Sequence, residues 1–402
     1  MAESGRILAQ AAQREGMAVR VIDRFGDADT RAASRDLRVV SSWDGPEGTA
    51  LEAVVEDLSP AAKGEPVLWG GGLEARPGLL ERLARRRDLL GNGGEVVRRV
   101  TDPDRWFPLL AGLGLPHPEI RLAPPASPDD WLAKEAGASG GGHIRPARGA
   151  GTAQGRYFQR RCPGTPLSLL FAADGRRARV LGVTEQWTAG EQNGDPADLR
   201  YGGALDHADP GRRLSRALEE AVAALTAHLG LRGLNGLDCL VEGDAFHVLE
   251  VNPRPVASVA LYAGDLAPGP IALHRGGSRG RLPAVRTRPP GRYRGHAVVY
   301  AEEPVRVPRE LLAPWCGDRP GVGTWVPAGA PVCTVQAAHR VREETRRLLR
   351  SRHRRVRQRR EGQHVGERGD DHRVANEADD GRDGAGVGPR PPPEVLGECH
   401  TG

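Results

Sequence analysis

Alternation of apolar and polar residues predicts a β-hairpin between residues 237 and 251. Two apolar runs flank the short polar turn at residues 242–245. Because successive side chains of a strand point to opposite faces, Glu250 and Asn252 share one face of the second strand. Folding about the turn then brings Asp238 opposite Glu250, within one residue. The sequence therefore predicts that three oxygen-bearing side chains lie close together.

These three side chains suit a hard cation such as Mg²⁺ that bridges substrate phosphates. Arg254 follows on the same face between two prolines, where it offers a fixed cation to a phosphate or a carboxylate. An isolated Asp and Glu pair on a hairpin is more often a solvated polar face. Here Leu, Val, Cys and Phe surround the polar residues, which favours a metal site.

The first ninety-five residues alternate helix and strand patterns. We expect helices at residues 7–15 and 77–90, with strands at residues 17–23, 37–41 and 66–69. This alternation is typical of an open, mostly parallel sheet covered by helices, and it places the chain in the α/β class. A later apolar stripe predicts a helix over residues 209–229 that ends at Gly230, and a further strand is predicted at residues 295–301.

A lysine and a glycine-rich loop follow the strand predicted at residues 131–134. Only Lys63 and Lys134 are lysines among the 57 basic residues, and the others are arginines. A lysine at position 134 therefore indicates that a compact ammonium group is needed there. Backbone N–H groups of the loop at residues 137–142 can wrap phosphate oxygens. A glycine-rich run is more often a linker, but the adjoining lysine favours a phosphate site. The loop is not a Walker A motif, because the lysine precedes the glycines.

Composition narrows the class of protein further. No apolar run approaches a membrane span and the N-terminus does not resemble a secretory signal. The five cysteines are widely spaced and contain no Cys-x-x-Cys, which favours free thiols in a reducing cytoplasm. The net charge is +5, but residues 340–360 hold eleven Arg and two Glu, a local +9, so the rest of the chain carries 5 − 9 = −4. A nucleic-acid or membrane partner is therefore not expected.

The chain changes character after Leu349. Residues 350–402 contain few apolar residues and show no period, so we expect a disordered or frame-shifted tail. A basic tail for nucleic acid is the alternative, but the acidic residues at 361–383 argue against it.

Taken together, these motifs resemble the ATP-grasp ligases. The order of sheet domain, strand lysine, glycine-rich flap and Asp…Glu-x-Asn-x-Arg hairpin is the order of that superfamily, and the resemblance covers about residues 7–347. Within it, the stretches SGRILAQAAQREGMAVRVIDRFGDADTR, GVTEQW and LEVNPRPVAS are most similar to the carboligase-related group, which includes archaeal tyramine–glutamate ligase.

The resemblance implies a pre-ATP-grasp parallel sheet domain followed by a two-lobed ATP-grasp fold. The corresponding division is residues 1–95 for the first domain, 96–165 for the small lobe with the flap, 166–285 for the large lobe with the hairpin, 286–349 for a β-rich closing segment and 350–402 for the tail. Such domains open with a strand before the first helix, and here the helix begins almost at Met1. We therefore expect that a strand is missing from the start.

The resemblance also assigns roles to single residues. It implies that Asp238, Glu250 and Asn252 bind Mg²⁺ or Mn²⁺ and that Lys134 and Arg254 stabilise the transferred phosphoryl group. The ATP-binding residues it implies are Lys134, Ser139, Gly140, Gly141, Gly142, Gln159, Arg160 and Cys162. A glutamate commonly follows the position of Gln159, where this chain has Arg160, so the usual acidic contact to adenine is in doubt.

Further stretches leave their alternatives open. Residues 70–72 either face a ligand or form a plain turn, and residues 185–187 either face the cleft or lie on an edge. Residues 200–203 stand where these enzymes direct side chains at the acceptor substrate. His274 and Asp318 are either cleft residues or solvated loop positions.

The implied function is an ATP- and Mg²⁺-dependent carboxylate–amine ligase that acts through an acylphosphate on small molecules in the cytoplasm. The resemblance suggests cofactor biosynthesis as one setting and a homodimer as one assembly. One alternative is a non-catalytic nucleotide-binding or regulatory protein. The other is a biotin-carboxylase-like carboxylase, which is disfavoured because that group has a glutamate where this chain has Ser258.

Overall fold

The computed structural model describes residues 1–43, 49–282, 284–287, 291–307 and 313–371. The helices in this part of the chain are α1 Arg6–Arg14, α2 Ala28–Ala33, α3 Thr49–Leu58, α4 Pro77–Arg86, α5 Gly94–Thr101, α6 Pro103–Gly112, α7 Ala189–Asn193, α8 Arg212–Leu229, α9 Val259–Tyr262, α10 Pro270–Ser278 and α11 Arg342–Asp371. Within the described residues, none of these helices combines the length and apolarity needed to cross a membrane.

The strands are β1 Arg20–Asp23, β2 Asp36–Val39, β3 Val67–Leu68, β4 Leu89–Leu90, β5 Ile120–Arg121, β6 Trp131–Glu135, β7 Arg145–Pro146, β8 Arg156–Arg160, β9 Thr165–Asp174, β10 Ala178–Thr188, β11 Tyr201–Leu205, β12 Arg232–Glu242, β13 Ala245–Asn252, β14 Leu266–Ala267, β15 Arg286–Thr287, β16 Tyr293–Tyr300, β17 Val305–Arg306, β18 Cys316–Gly317, β19 Trp325–Val326 and β20 Pro331–His339.

The N-terminal region is built from parallel strands, as its alternating pattern predicts. β1 pairs with β2 and β3 pairs with β4, both in parallel. Residues 1–3 run between β1 and β3, since the Met1 amino group donates to Leu68 O at 2.9 Å and Ala2 N donates to Ile22 O at 3.1 Å. Residues 1–3 thus bond to both strands, and the expectation of a further strand before them stays a prediction. The predicted helix over residues 77–90 is shorter than expected, because it ends at Arg86 and the chain continues into β4.

An eight-stranded sheet forms the centre of the fold, in the order β13-β12-β9-β10-β11-β16-β20-β18. Each face of this sheet is covered by helices. The predicted stripe of α8 is buried with Leu167, Leu169 and Phe171 on one face, and Gly230 ends that helix at φ +69°. The opposite face packs against α9 and α10 through residues such as Tyr262 and Leu273.

A second sheet of four strands, in the order β5-β8-β6-β7, carries Lys134 on β6 and continues into the glycine-rich loop. The whole arrangement of helices with a parallel N-terminal part and a large antiparallel sheet confirms the predicted fold class. The proposed division into domains stays a prediction; residues Met1–Arg357 form one compact unit, and Gln358–Gly402 form a second.

The C-terminal helix corrects the expectation for the tail. α11 runs from Arg342 to Asp371, so residues 350–371 are helical and not disordered. The reason is a sparse stripe at i, i+4 and i+3 spacing: Leu349, His353 and Val356 are each at most 7% exposed. Residues 372–402 lie outside the described part of the chain.

Candidate active site

The hairpin forms with the predicted register. β12 and β13 are antiparallel, Asp238 lies directly opposite Glu250, and Gly236 lies opposite Asn252. Counting back from the turn would pair Asp238 with Leu249, but a bulge between Cys239 and Asp238 skips Leu249 and shifts the pairing to Glu250, within the one residue that the prediction allowed. The three predicted metal-binding side chains are therefore brought to one face of the sheet.

The side chains contact one another there. The amide Nδ2 of Asn252 donates to Asp238 Oδ2 at 2.9 Å and to Glu250 Oε1 at 3.5 Å. Its Oδ1 accepts a hydrogen bond from Arg254 Nη2 at 2.9 Å. The partly positive amide nitrogen thus lies between two carboxylates, at the place where a cation would be most strongly attracted.

Asp238 fits a metal ligand on independent grounds. Its Oδ1 is buried and has no hydrogen-bond partner among the described residues. Burial, and then the neighbouring carboxylate of Glu250, raise the pKa of Asp238 to about 7. A divalent cation would satisfy the unpartnered oxygen and remove both penalties.

The donor set also determines what else a metal would need. No group of three His, Cys, Asp or Glu side chains that could hold an ion occurs in the described ranges. Two carboxylates and one amide cannot complete the coordination of Mg²⁺, which usually keeps waters and substrate phosphates as ligands. The residues therefore fit a metal that arrives with a nucleotide better than a permanently bound one.

Lys134 lies close to this group. Its side chain is buried, at 4% exposure, and Nζ donates to Gln159 Oε1 at 3.3 Å. Burial opposes the charge of Lys134, but the hydroxyl of Tyr157 and the carboxylates of Glu250 and Asp238 outweigh it and raise the pKa of the ammonium. A buried cation is thus held in its charged form facing the carboxylates.

The glycine-rich loop folds over the same place. Its contact with β11 is a hydrogen bond from Tyr201 N to Gly140 O at 3.0 Å. Gly141 has φ +77°, and a Cβ there would clash with Leu199 O, so this position requires glycine. The loop, which we call the flap, is therefore shaped to lie close against another segment of backbone.

A cavity of about 40 Å³ lies beneath the flap. Its walls include Ser139 from the flap, Tyr157 from β8 and Glu250 from β13. His143 also lines it, and burial together with the charge of Lys134 lowers the pKa of His143. The sequence reasoning passed over His143, although a histidine within a glycine-rich loop was the available signal.

Comparison with known proteins agrees with this geometry. Residues 107–258, which contain Lys134, the flap and the hairpin, match the family model of the ATP-grasp domain. The chain carries an ATP-grasp domain. A comparison with curated proteins finds no match.

Solved structures share the fold of this chain at low sequence identity. Biotin carboxylase from Campylobacter jejuni is 14% identical with a TM-score of 0.64, covering 84% of this chain and 86% of that one. L-amino acid ligase from Bacillus licheniformis is 13% identical with a TM-score of 0.62, covering 86% and 93%. N5-carboxyaminoimidazole ribonucleotide synthetase from Thermus thermophilus is 19% identical with a TM-score of 0.59, covering 85% and 92%.

Glu74 is a second residue near the site that the sequence analysis missed. It forms an ion pair with Arg254 Nε, and the side chains of the two are 6% and 12% exposed. Its other oxygen accepts from Gly72 N at 2.7 Å, and a Cβ on Gly71 would lie 3.3 Å from the Arg254 guanidinium carbon. Gly71 thus lies against Arg254, and a ligand contact of residues 70–72 stays a prediction.

The predicted ATP-binding residues at 159–162, between the two sheets, lie in different surroundings. Gln159 is buried beside Lys134. The guanidinium of Arg160 is exposed and pairs with Glu119 at 3.4 Å, while Arg160 N donates to Glu119 O at 2.8 Å. Cys162 Sγ donates to Arg160 O at 3.8 Å. The side chain of Arg160 is therefore occupied by Glu119, and its roles toward a nucleotide stay a prediction.

Strand alternation settles the stretch at residues 185–187. Glu185 pairs with Arg342 and Arg346 of α11 at 2.9 and 2.8 Å, and Trp187 packs beneath the same helix. Gln186 alternates with them and lies on the opposite face, which is the face of the metal-site residues. Only the middle residue of the three is placed on the cleft side.

His274 and Asp318 are not solvated loop positions. His274 is 1% exposed, accepts from Leu234 N at 2.9 Å, and burial lowers its pKa to about 4. Asp318 accepts two hydrogen bonds from the Arg6 guanidinium, at 2.8 and 2.9 Å. The first is a core histidine, and the second joins the C-terminal part of the sheet to α1.

Proposed function

We propose that the protein is an ATP- and Mg²⁺-dependent ligase that joins the carboxylate of one small molecule to the amine of another. The observation that supports this most directly is the unpartnered Oδ1 of Asp238, in a cluster with Glu250 and Asn252 that faces the buried ammonium of Lys134. Such a cluster is suited to a nucleotide with its metal, and the neighbouring folds include an L-amino acid ligase.

The proposed reaction has two steps. The acceptor carboxylate attacks the terminal phosphorus of ATP, ADP leaves, and an acylphosphate forms; the amine then attacks the acyl carbon and phosphate leaves. A bound Mg²⁺ would neutralise charge on the phosphate oxygens. Lys134 and Arg254 would stabilise the transferred group and hold it in line, so catalysis is mainly electrostatic and no covalent nucleophile is needed.

Ser258 favours an amine over bicarbonate as the second substrate. Carboxylases that resemble this chain are expected to have a glutamate at this position, and here a buried serine occupies it, at 3% exposure. A serine hydroxyl is uncharged, so it cannot replace the carboxylate expected to activate bicarbonate. We therefore rank amide formation ahead of carboxylation.

The test is Mg²⁺-dependent release of ADP by the full chain, supplied with ATP and an equimolar mixture of the twenty standard amino acids. We expect ADP release and a new amide product detected by mass spectrometry. Glu250→Gln should lower turnover by roughly 100-fold or more while the protein stays folded, whereas Glu219→Gln, an exposed position on α8, should leave it unchanged.

Two outcomes would contradict the proposal. If Glu250→Gln turns over ATP at the normal rate, the cluster is not the catalytic site. If ATP raises Tm but ADP is not released with this mixture or with wider pools of acids and amines, a non-catalytic nucleotide-binding role replaces the ligase.

A further inference from the structure

Sheet register places two polar rows on one face of the eight-stranded sheet. In the first row, Glu250, Asp238, Ser168 and Thr184 lie opposite one another on β13, β12, β9 and β10. In the second row, Gln186, Ala204, His296 and Gln336 lie opposite one another on β10, β11, β16 and β20. The rows meet on β10, where Thr184 and Gln186 are two residues, about 7 Å, apart; from there the first row runs toward β13 and the second toward β20.

A bulge adds Tyr201 to the second row. The pairing of β10 with β11 passes from Trp187 opposite Gly203 to Thr188 opposite Tyr201, which leaves Gly202 without a partner in the register. A Cβ on Gly202 would clash with Thr188 O, so glycine is required there. The extra residue turns Tyr201 toward the face of His296, and Tyr201 Oη lies 2.7 Å from His296 Nε2.

The second row contains uncharged hydrogen-bonding groups. Arg6, which lies beside His296, is bound through two hydrogen bonds to Asp318, and Arg254 is paired with Glu74. Burial, with the charge of Arg6 adding to it, lowers the pKa of His296 to about 4, so this imidazole is neutral at pH 7. Burial and the nearby carboxylate of Asp238 raise the pKa of Tyr201, so the phenol keeps its proton.

We propose that Tyr201 binds the nucleophilic amine and that His296 is a positioning residue that fixes the phenol; this inference rests on the proposed ligase function. A carboxylate would need a free cation, whereas an uncharged amine, the form that attacks, suits neutral partners. Tyr201 on β11 and Asp238 on β12 are three strands apart, about 14 Å between their backbones, which leaves room for an acylphosphate between the two side chains. The amine nitrogen bonds the acyl carbon, the bond from that carbon to the phosphate oxygen breaks, and the proton lost by nitrogen leaves with phosphate.

The flap provides a second link to Tyr201. Its Gly140 O accepts from the backbone N–H of Tyr201 itself. The residue that would hold the amine is thus the residue on which the flap rests, so the flap closes beside the proposed amine site.

The experiment separates the two chemical steps in the full chain. Acylphosphate formation is measured by trapping with hydroxylamine as a hydroxamate, and amide formation is measured as a function of amine concentration, both with Mg²⁺, ATP and the amino acid mixture or the substrate pair found in it. Tyr201→Phe should raise KM for the amine roughly 10-fold, the loss of one hydrogen bond, and leave the rate of hydroxamate formation within about twofold.

Companion variants test the role of His296. His296→Leu should raise KM for the amine as Tyr201→Phe does, and His296→Gln, whose amide can bond the phenol, should recover part of the loss. Tyr293→Phe is the matched control, because Tyr293 lies on β16 but on the other face of the sheet, and it should change neither step.

The outcomes separate this inference from the proposed function. An unchanged KM for the amine in Tyr201→Phe, or a parallel loss of hydroxamate and amide, overturns the assignment of Tyr201 while the ligase stands. A wild-type protein that forms neither hydroxamate nor amide overturns the proposed function and this inference together.

Discussion

Replacing Glu74 by glutamine tests the contact that joins the N-terminal region to the hairpin. Glu74 and Arg254 are both largely buried, at 6% and 12% exposure of their side chains, and are 180 residues apart in the chain. Removing one partner of a buried ion pair costs about 3–5 kcal/mol, because the remaining charge stays desolvated. The glutamine oxygen can accept from the guanidinium or from Gly72 N but not from both, because the amide NH2 only donates, so we expect a loss of about 3 kcal/mol of stability.

The assay is thermal unfolding of the full chain with and without MgATP. A loss of this size corresponds to a fall in Tm of roughly 3–4 °C for a protein of this size. Glu81→Gln is the matched control, since Glu81 also pairs with an arginine, Arg98, but at the surface, and its Tm should stay unchanged. If Arg254 meets the phosphates, saturating MgATP should reduce the difference between Glu74→Gln and wild type. Equal Tm values for Glu74→Gln and wild type would refute the reasoning that Arg254 is a buried cation dependent on Glu74.

Three further predictions follow from other parts of the molecule. Lys134→Ala should weaken MgATP binding at least about tenfold in calorimetry, since a buried charged donor is lost, and a wild-type affinity would exclude its phosphate role. Burial, then the charges of Asp318 and Asp29, raise the pKa of Asp27 to about 7. The folded state therefore binds that proton more tightly than the unfolded state and loses stability as pH rises from about 4 to 7. The Tm of Asp27→Asn minus that of wild type should be larger at pH 8 than at pH 5, and a pH-independent difference would contradict this. A chain ending at residue 349 should unfold at a lower temperature than one ending at residue 371, because it lacks the buried Val356, and equal Tm values would show that this part of α11 adds no stability.

The hairpin could be predicted because its information is local. Alternation and a short turn predict that Asp238 lies opposite Glu250 to within one residue, and a bulge next to Asp238 sets the exact pairing. Glu74 could not be found in this way. Its role depends on a contact between segments 180 residues apart, and no spacing rule along the chain encodes such a pairing.

The sequence also could not predict which face of the sheet forms the cleft. Alternation places Gln186 and Glu185 on opposite faces but does not say which face is the cleft; that is determined by α11, whose arginines bind Glu185. α11 itself was missed after Leu349 because its buried residues are few and stand among arginines. An apolar stripe this sparse is recognised only when the surface it packs against is known.

The backbone bond from Tyr201 N to Gly140 O has a consequence for how substrates reach the sheet. A hydrogen bond of this kind contributes about 1 kcal/mol net, an amount that water can largely replace when the flap lifts. The two polar rows, in contrast, are fixed by strands paired within the eight-stranded sheet. Entry and release would therefore require the flap to lift, while strand pairing within the sheet keeps the polar rows in place.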